Sequence, residues 1–291
     1  MDPRTLALPM KLNTALRLGR TSNLPTVWTN VLAAASLSGG TLAASSLLLA
    51  ALAASALYVG GMFLNDAFDA EIDAQERPER PIPAGEVSRS TVWRWGYGLL
   101  AAGAILAFIT RPTAGLAALA TCAAIVAYNA WHKQNALSPV VMGLCRFGVY
   151  GIGAFAVTAT PEAAVWVGAL LLMGYVLGLT YAAKFESSGG MGRWAPLLGL
   201  VAPAVALLLA WSGAPWLRSF LGGYALWVQR AISLIRSGKP QKIRQAIGAL
   251  IAGIALLDAM VIANCGETGL ALVCVAAFGA TLAAQSRIAG T

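Results

Sequence analysis

Apolar side chains run along this chain in long stretches, not in the alternating or one-faced patterns of soluble strands and helices. They fall at roughly 24–39, 43–65, 90–110, 113–131, 137–158, 162–183, 194–211, 214–232, 246–264 and 268–286. A helix needs about 20 such residues to cross the hydrocarbon core of a bilayer. The run from Leu24 to Phe63 is too long for one crossing, and Gly39-Gly40 is the natural hairpin within it. The segment at 214–232 is the least apolar, since it holds Arg218 and Gln229. The pattern predicts an all-α chain, a multi-pass membrane bundle of nine or ten transmembrane helices. Residues 1–23 read as a basic, partly amphipathic cytoplasmic tail and 24–291 as a single transmembrane domain, because no polar interval is long enough to fold separately. The first apolar segment lacks a small-residue cleavage site and runs straight into the second, so it reads as a membrane helix, not a removable signal.

Composition agrees: 58% of the residues are hydrophobic and only 11% charged, which excludes a soluble domain. A net charge of +8 invites a nucleic-acid partner, but its distribution argues against one. With ten spans and the amino terminus inside, all basic residues except Arg111, Arg146 and Arg218 fall in or beside the cytoplasmic segments, as the positive-inside rule requires. The charge therefore reports topology and excludes nucleic acid. It places the polar loops on the inner side of the membrane, read as a bacterial cytoplasmic membrane. The cysteines Cys122, Cys145, Cys265 and Cys274 are single, widely spaced and inside apolar segments, a pattern of packing, not of disulfides or zinc.

The richest chemistry lies in Asn65-Asp66-Ala67-Phe68-Asp69-Ala70-Glu71-Ile72-Asp73, at the end of the second apolar stretch. At 100° per residue Asp66, Asp69 and Asp73 share about 60° of one helix face, and Asn65 widens the arc to about 100°. Such carboxylates repel one another unless cations sit between them. Hard oxygen ligands suit Mg²⁺, which usually shares its shell with substrate phosphates. The segment that follows, Arg77-Pro78-Glu79-Arg80-Pro81-Ile82-Pro83-Ala84-Gly85, stops the helix with three prolines and turns at Gly85. Arg77 and Arg80 lie one to two turns beyond Asp73, close enough for phosphate oxygens, which the guanidinium fork binds well.

Asn-Asp-x-x-Asp-x-x-x-Asp followed by Arg-Pro-x-Arg-Pro-Ile-Pro-x-Gly resembles the UbiA superfamily of intramembrane prenyltransferases, in its details the subgroup called EboC-like. The resemblance implies a helical bundle around a central cavity, where Mg²⁺ on two Asp-rich motifs holds a polyprenyl diphosphate whose chain lies in membrane lipid. It makes Asp66, Asp69 and Asp73 the catalytic and metal-binding set, with Asn65, Arg77 and Arg80 at the substrate. The family's Tyr-x-x-x-Lys pattern is approximated by Tyr128-Asn129-Ala130-Trp131-His132-Lys133, so that His132 or Lys133 meets diphosphate; an interfacial aromatic cluster with a snorkelling lysine is the competing reading. The second Asp-x-x-x-Asp is depleted. If Glu186 takes its second position, Ala182 occupies its first, leaving one carboxylate as metal ligand and Lys184 to supply positive charge.

Two further ionisable groups lie inside apolar stretches, where an unpaired charge is costly. Arg146 is expected to face the cavity as a substrate-binding group. Asp258 is either protonated or paired with Arg146 or Arg218. The sequence thus reads as a prenyltransferase that binds a Mg²⁺–polyprenyl diphosphate and passes the prenyl group to a hydrophobic, aromatic or lipid-like acceptor from the membrane. The alternative is a catalytically weakened relative that binds or translocates a lipid-soluble precursor.

Overall fold

Each of the ten apolar stretches becomes a helix in the computed structural model, which describes residues 10–132, 135–188, 197–209, 213, 216–288 and 290, the side chains of 184–188 excepted. A short helix α1 (Leu12–Leu18) and a 3-10 turn (Thr21–Asn23) come first. Then follow α2 (Leu24–Leu37), α3 (Ala44–Glu76), α4 (Arg89–Thr110), α5 (Pro112–Trp131), α6 (Ser138–Val157) and α7 (Ala163–Ser188). The chain closes with α8 (Leu198–Leu209), α9 (Leu217–Arg236), α10 (Pro240–Asn264) and α11 (Thr268–Gln285). No strand occurs among the described residues.

The breaks between helices follow local chemistry. The α2–α3 hairpin turns at Gly39, whose φ of 71° suits a residue without Cβ, as the Gly39-Gly40 pair predicts. Prolines stand in the first turn of α2, α5, α6 and α10, where a missing N–H costs nothing. Ser88 caps α4 by accepting a hydrogen bond from the backbone N–H of Thr91. The predicted stop after the aspartates also holds: α3 ends at Glu76, and Gly85 turns the chain at φ 73°.

Seven of these helices are individually long and apolar enough to cross a membrane: α3, α4, α5, α6, α7 (over Ala163–Ala183), α10 and α11. Ten helices match the expected stretches, but three of them do not meet that measure alone. With 14 and 12 residues, α2 and α8 fall short of a hydrocarbon core, and α9 exposes Arg218, Gln229 and Arg230 along its length. The chain is a multi-pass membrane protein.

Among the described residues, the two largest of its three buried apolar clusters meet at α2 and α6. Leu57, Leu64, Ile125 and Ile152 belong to one, built around α3, α4 and α5; Leu172, Tyr175, Tyr224 and Leu257 belong to the other, built around α7, α9 and α10. The helices approach closely because glycines line the seams. A Cβ on Gly153 of α6 would stand 2.7 Å from the Val31 carbonyl oxygen of α2, whereas one on Gly98 of α4 would meet nothing within 4 Å. Gly153→Val should therefore destabilise the bundle by about 1–3 kcal/mol and lower its melting temperature in detergent, while Gly98→Ala should not lower it. Equal melting curves for native protein and Gly153→Val would remove the close-packing account of this seam.

Length places the aspartates. At 1.5 Å per residue the 33 residues of α3 span about 50 Å, well beyond a hydrocarbon core of about 30 Å. The last turns of α3 therefore stand out at one polar end of the bundle.

Candidate functional site

At that end a cavity of about 730 Å³ opens between the two halves of the core. One face of α3 walls it with Leu57, Tyr58, Gly61, Met62, Asn65, Asp66 and Asp69, a helical repeat that reaches from apolar depth to charged mouth. Beside it, α5 and the residue after it contribute Thr121, Ile125, Tyr128, Asn129 and His132, again one stripe. Val149 and Arg146 come from α6, Val176, Leu179, Thr180 and Ala183 from α7, and Ile247, Ile251 and Ile254 from α10. The floor is thus largely aliphatic and the rim largely cationic, since Arg17, Arg20, Arg77, Arg80, Arg244 and Arg287 all reach the lining.

Asp66 and Asp69 are both buried, yet both face this cavity. Asp66 Oδ1 accepts hydrogen bonds from Arg20 Nη2 at 3.2 Å and Arg80 Nη1 at 3.5 Å. Asp69 Oδ2 lies 3.4 Å from His132 Nε2, and the His132 ring stacks on Tyr128 at 4.9 Å between centroids. Asn65 accepts from Arg20 Nη2 at 3.2 Å and donates to Asn129 Oδ1 at 3.1 Å; Asn129 in turn donates to the Gly61 carbonyl at 3.2 Å. Asn65, Asp66, Asp69, Arg80, Tyr128 and His132 therefore stand together, brought from α3, the end of α5 and the proline-rich loop.

Other expected members stand elsewhere. Asp73 does not line the cavity; its Oδ2 accepts from Arg80 Nη1 at 2.7 Å, so it anchors the loop. Arg77 lines the mouth but is exposed. Ala182 is turned fully into the core, and its neighbour Ala183 is the one that faces the cavity. The alignment that puts Ala182 at the first position of a second acidic motif thus assigns that position to the wrong face of α7. Lys133 and the side chains of Lys184 and Glu186 lie outside the described residues. Among the described residues no group of three or more His, Cys, Asp or Glu is gathered tightly enough to hold a metal, so the expected Asp66–Asp69–Asp73 triad is not brought together as a cluster.

The largest addition comes from the segment ahead of α2. Arg20, read from sequence as topological charge, bridges Asn65 and Asp66 and also reaches Met62 Sδ at 3.3 Å. It is the one described non-glycine residue with positive φ, at 43°, a left-handed backbone that costs an ordinary side chain about 1–2 kcal/mol. Tyr58 holds it there by donating to its carbonyl oxygen at 3.4 Å. Such strain clusters where geometry serves a site, and nothing in the sequence around Thr21-Ser22-Asn23 signals it.

Helix α1 also ties down the loop. Thr14 Oγ1 and Arg17 Nη1 each donate to Glu86 at 2.8 Å, and Arg17 Nη2 donates to the Glu79 carbonyl. Hydrogen bonds from Thr14 and Arg17 hold the Glu86 carboxyl below its ordinary pKa. A lowered folded-state pKa means that this clamp is fully present at neutral pH and is lost only as pH falls through that lowered value. Burial works to lower the pKa of Arg80, but the Asp66 and Asp73 carboxylates outweigh it and hold the guanidinium above its ordinary value. Its contribution would fade only in strong base, so Arg80 stays charged at any working pH.

A cavity with paired carboxylates, a carboxamide and several guanidinium groups at the mouth, and aliphatic side chains below, suits an amphiphile with a polyanionic head. Comparison with known proteins identifies the family. The family model described as the UbiA prenyltransferase family matches residues 23–254. A digeranylgeranylglyceryl phosphate synthase of Ignicoccus hospitalis is 35% identical over 127 residues, which is 44% of this chain and 41% of that one. The enzyme of the same name from Metallosphaera sedula is 37% identical over 92 residues, 32% of this chain and 28% of its own. The matched stretches thus span well under half of these relatives. Among solved structures, one of a digeranylgeranylglyceryl phosphate synthase superposes with a TM-score of 0.63 at 18% identity, covering 87% of this chain and 98% of the other. A UbiA homologue from Archaeoglobus fulgidus bound to GPP and Mg²⁺ gives 0.57 at 14% identity, covering 88% and 99%. The structures share the fold, the family model spans most of the chain, and Asp66 and Asp69 lie within the match: this protein belongs to the UbiA prenyltransferase family.

Proposed function

We propose that the protein is an intramembrane prenyltransferase that takes a polyprenyl diphosphate as donor and a hydrophobic, aromatic or lipid-like acceptor from the bilayer. The observation that carries this reading is the pairing of Asp66 and Asp69 with Asn65 at the mouth of a cavity whose depth is aliphatic. The donor's head would lie at the mouth and its chain among Ile247, Ile251 and Ile254. The residues fit one Mg²⁺, because that ion is held by one or two carboxylates and completes its shell with phosphate and water. Asp66 and Asp69 would be its ligands, with Asn65 beside them; when bound, the ion would offset charge on the leaving diphosphate. Support for Mg²⁺ comes from the family, where the Archaeoglobus fulgidus homologue binds it with GPP.

In the reaction the allylic C–O bond breaks and its electron pair leaves with diphosphate. The acceptor's electron pair closes the new bond, and the departing diphosphate takes the acceptor's proton. Arg20, Arg80 and His132 stand where negative charge grows, already aimed by Asp66, Asp69 and Asp73, so little reorganisation is needed as the bond breaks. Distribution of the basic residues supports a cytoplasmic mouth, since Arg17, Arg20, Arg77, Arg80, Arg244 and Arg287, all counted under the positive-inside rule, rim the cavity.

One observation favours the second reading, a protein that binds or moves a lipid-soluble precursor without transfer: Asp66 is already neutralised by two arginines. Purified protein in lipid, given labelled geranyl and geranylgeranyl diphosphates with Mg²⁺, separates the two. Transfer predicts Mg²⁺-dependent binding and diphosphate release; binding without release on any acceptor would establish the second reading. No binding would end both.

A further inference from the structure

Two buried carboxamides in this bundle each bridge two neighbours, and the neighbours decide which way the amide points. Asn30 accepts from Arg146 Nη1 at 2.8 Å and donates through Nδ2 to Asp258 Oδ2 at 2.7 Å, so charges at both ends fix its direction. Asn65, at the cavity mouth beside Asp66, is fixed by neutral groups instead. Its Nδ2 donates to Asn129 Oδ1 at 3.1 Å, and Asn129 Nδ2 donates to the Gly61 carbonyl at 3.2 Å. Asn65 and Asn129 are 8% and 5% exposed, so water does not offer either amide an easy alternative partner. Gly61 lies one turn before Asn65 on α3. Its carbonyl already accepts the backbone N–H of Asn65, as in any α-helix, and gives Asn129 its second lone pair.

A backbone carbonyl can only accept. It therefore claims the NH₂ of Asn129 and leaves the Asn129 oxygen for Asn65. That oxygen also can only accept, so it claims the NH₂ of Asn65. By elimination the Asn65 oxygen faces the mouth. Arg20 agrees from the other side, since its Nη2 lies 3.2 Å from Asn65 Oδ1 and 3.2 Å from Asp66 Oδ1. The two oxygens thus converge on one cationic nitrogen. A carboxamide has nearly the same shape either way round. Without Asn129, the Asn65 NH₂ would be free to turn to the mouth and set its N–H dipoles against a cation. Asn129 also lines the cavity, but its own oxygen and nitrogen are already engaged by α3.

We propose that Asn129 is a positioning residue for the donor site: anchored on the Gly61 carbonyl, it holds the Asn65 amide so that an oxygen, not an N–H group, meets a hard divalent cation beside Asp66 and Asp69. The inference deepens the prenyltransferase reading and rests on it for the use made of the cation; the metal-only arm of its test does not.

The whole protein in lipid nanodiscs is titrated in two arms. Mn²⁺ alone is followed by electron paramagnetic resonance. In the other arm Mg²⁺ is varied at fixed geranyl diphosphate, and donor affinity is then read at saturating Mg²⁺. Asn129→Leu keeps a branched side chain and removes both hydrogen bonds. Loss of a partner that orients a metal ligand typically costs about 10–100-fold in metal affinity, so half-saturation by either metal should need at least about tenfold more ion. Donor affinity at saturating Mg²⁺ should stay within about threefold of native. Asn65→Asp has two like oxygens and no orientation to set, so adding Asn129→Leu to that variant should shift either metal titration by less than about threefold. Asn129→Ala makes the same cut with less bulk. Both Asn129 variants should fold, because Gly61 keeps its helical partner; failure of both to accumulate would make the residue structural and overturn the inference. An equal loss in the Asn65→Asp background would overturn it too. Should geranyl diphosphate fail to bind while Mn²⁺ shows the tenfold loss, the prenyltransferase reading falls and the positioning role stands. Donor binding with metal titrations unchanged by Asn129→Leu sinks the positioning role alone. A native protein that binds neither Mn²⁺ nor the donor removes both.

Discussion

Replacing Asp66 or Asp69 with alanine should cut Mg²⁺-dependent binding of geranyl diphosphate at least about a hundredfold, or ~2.7 kcal/mol, while the protein still inserts and folds. These two carboxylates alone, of the three on the shared face, look into the cavity. Folding should survive because Arg80 keeps its ion pair with Asp73, and Arg20 keeps a hydrogen bond to Asn65 at the cavity mouth. Asp73→Ala should behave differently. Its carboxylate holds the loop through Arg80 and does not touch the cavity lining, so donor affinity should fall by only about tenfold. Asp73→Asn, which can still accept from Arg80, should recover most of it. Isothermal titration in nanodiscs at matched protein levels would read all four variants. Equal losses for Asp66→Ala, Asp69→Ala and Asp73→Ala would refute the division of labour, and no loss in the first two would refute the donor site itself.

The second large effect is a contrast between neighbours. Asp at position 182 would be driven into a closed aliphatic core, where an unpaired carboxylate costs several kcal/mol. Ala182→Asp should therefore fail to accumulate as folded protein. Ala183→Asp puts the same carboxylate one residue on, in the cavity wall opposite α3. It should fold, bind Mg²⁺ more tightly in the presence of geranyl diphosphate, and raise diphosphate release by roughly tenfold, since a second carboxylate would help hold metal at the leaving group. Fluorescence size-exclusion profiles and a diphosphate-release assay distinguish the pair. A well-folded Ala182→Asp with increased release would show that α7 presents the other face to the site.

These contrasts mark what could be read from the chain alone. The membrane class, the ten helical stretches, the Gly39 hairpin and the proline stop after Glu76 are local matters, decided by apolar length and by the backbone limits of glycine and proline. The face shared by Asn65, Asp66 and Asp69 is local too, because helical periodicity alone puts them side by side. So is the loop that returns Arg80 to that face, since Asp73 and Arg80 are only seven residues apart.

What only the tertiary structure decided depends on which helix faces which. Periodicity says that Asp73 shares a stripe with Asp66, but the returning loop covers that end of the stripe and takes Asp73 for itself. It cannot say whether Ala182 or Ala183 looks at the cavity, since the polar residues around them, Thr180, Tyr181, Lys184 and Glu186, lie on several faces of α7 and give no single direction. Arg20 and Asn30 reach their partners across 46 and 228 residues of sequence. No spacing rule links such pairs. Apolar burial brings the helices together without regard to polar identity, and the few polar groups then find one another only where the packed seams allow it.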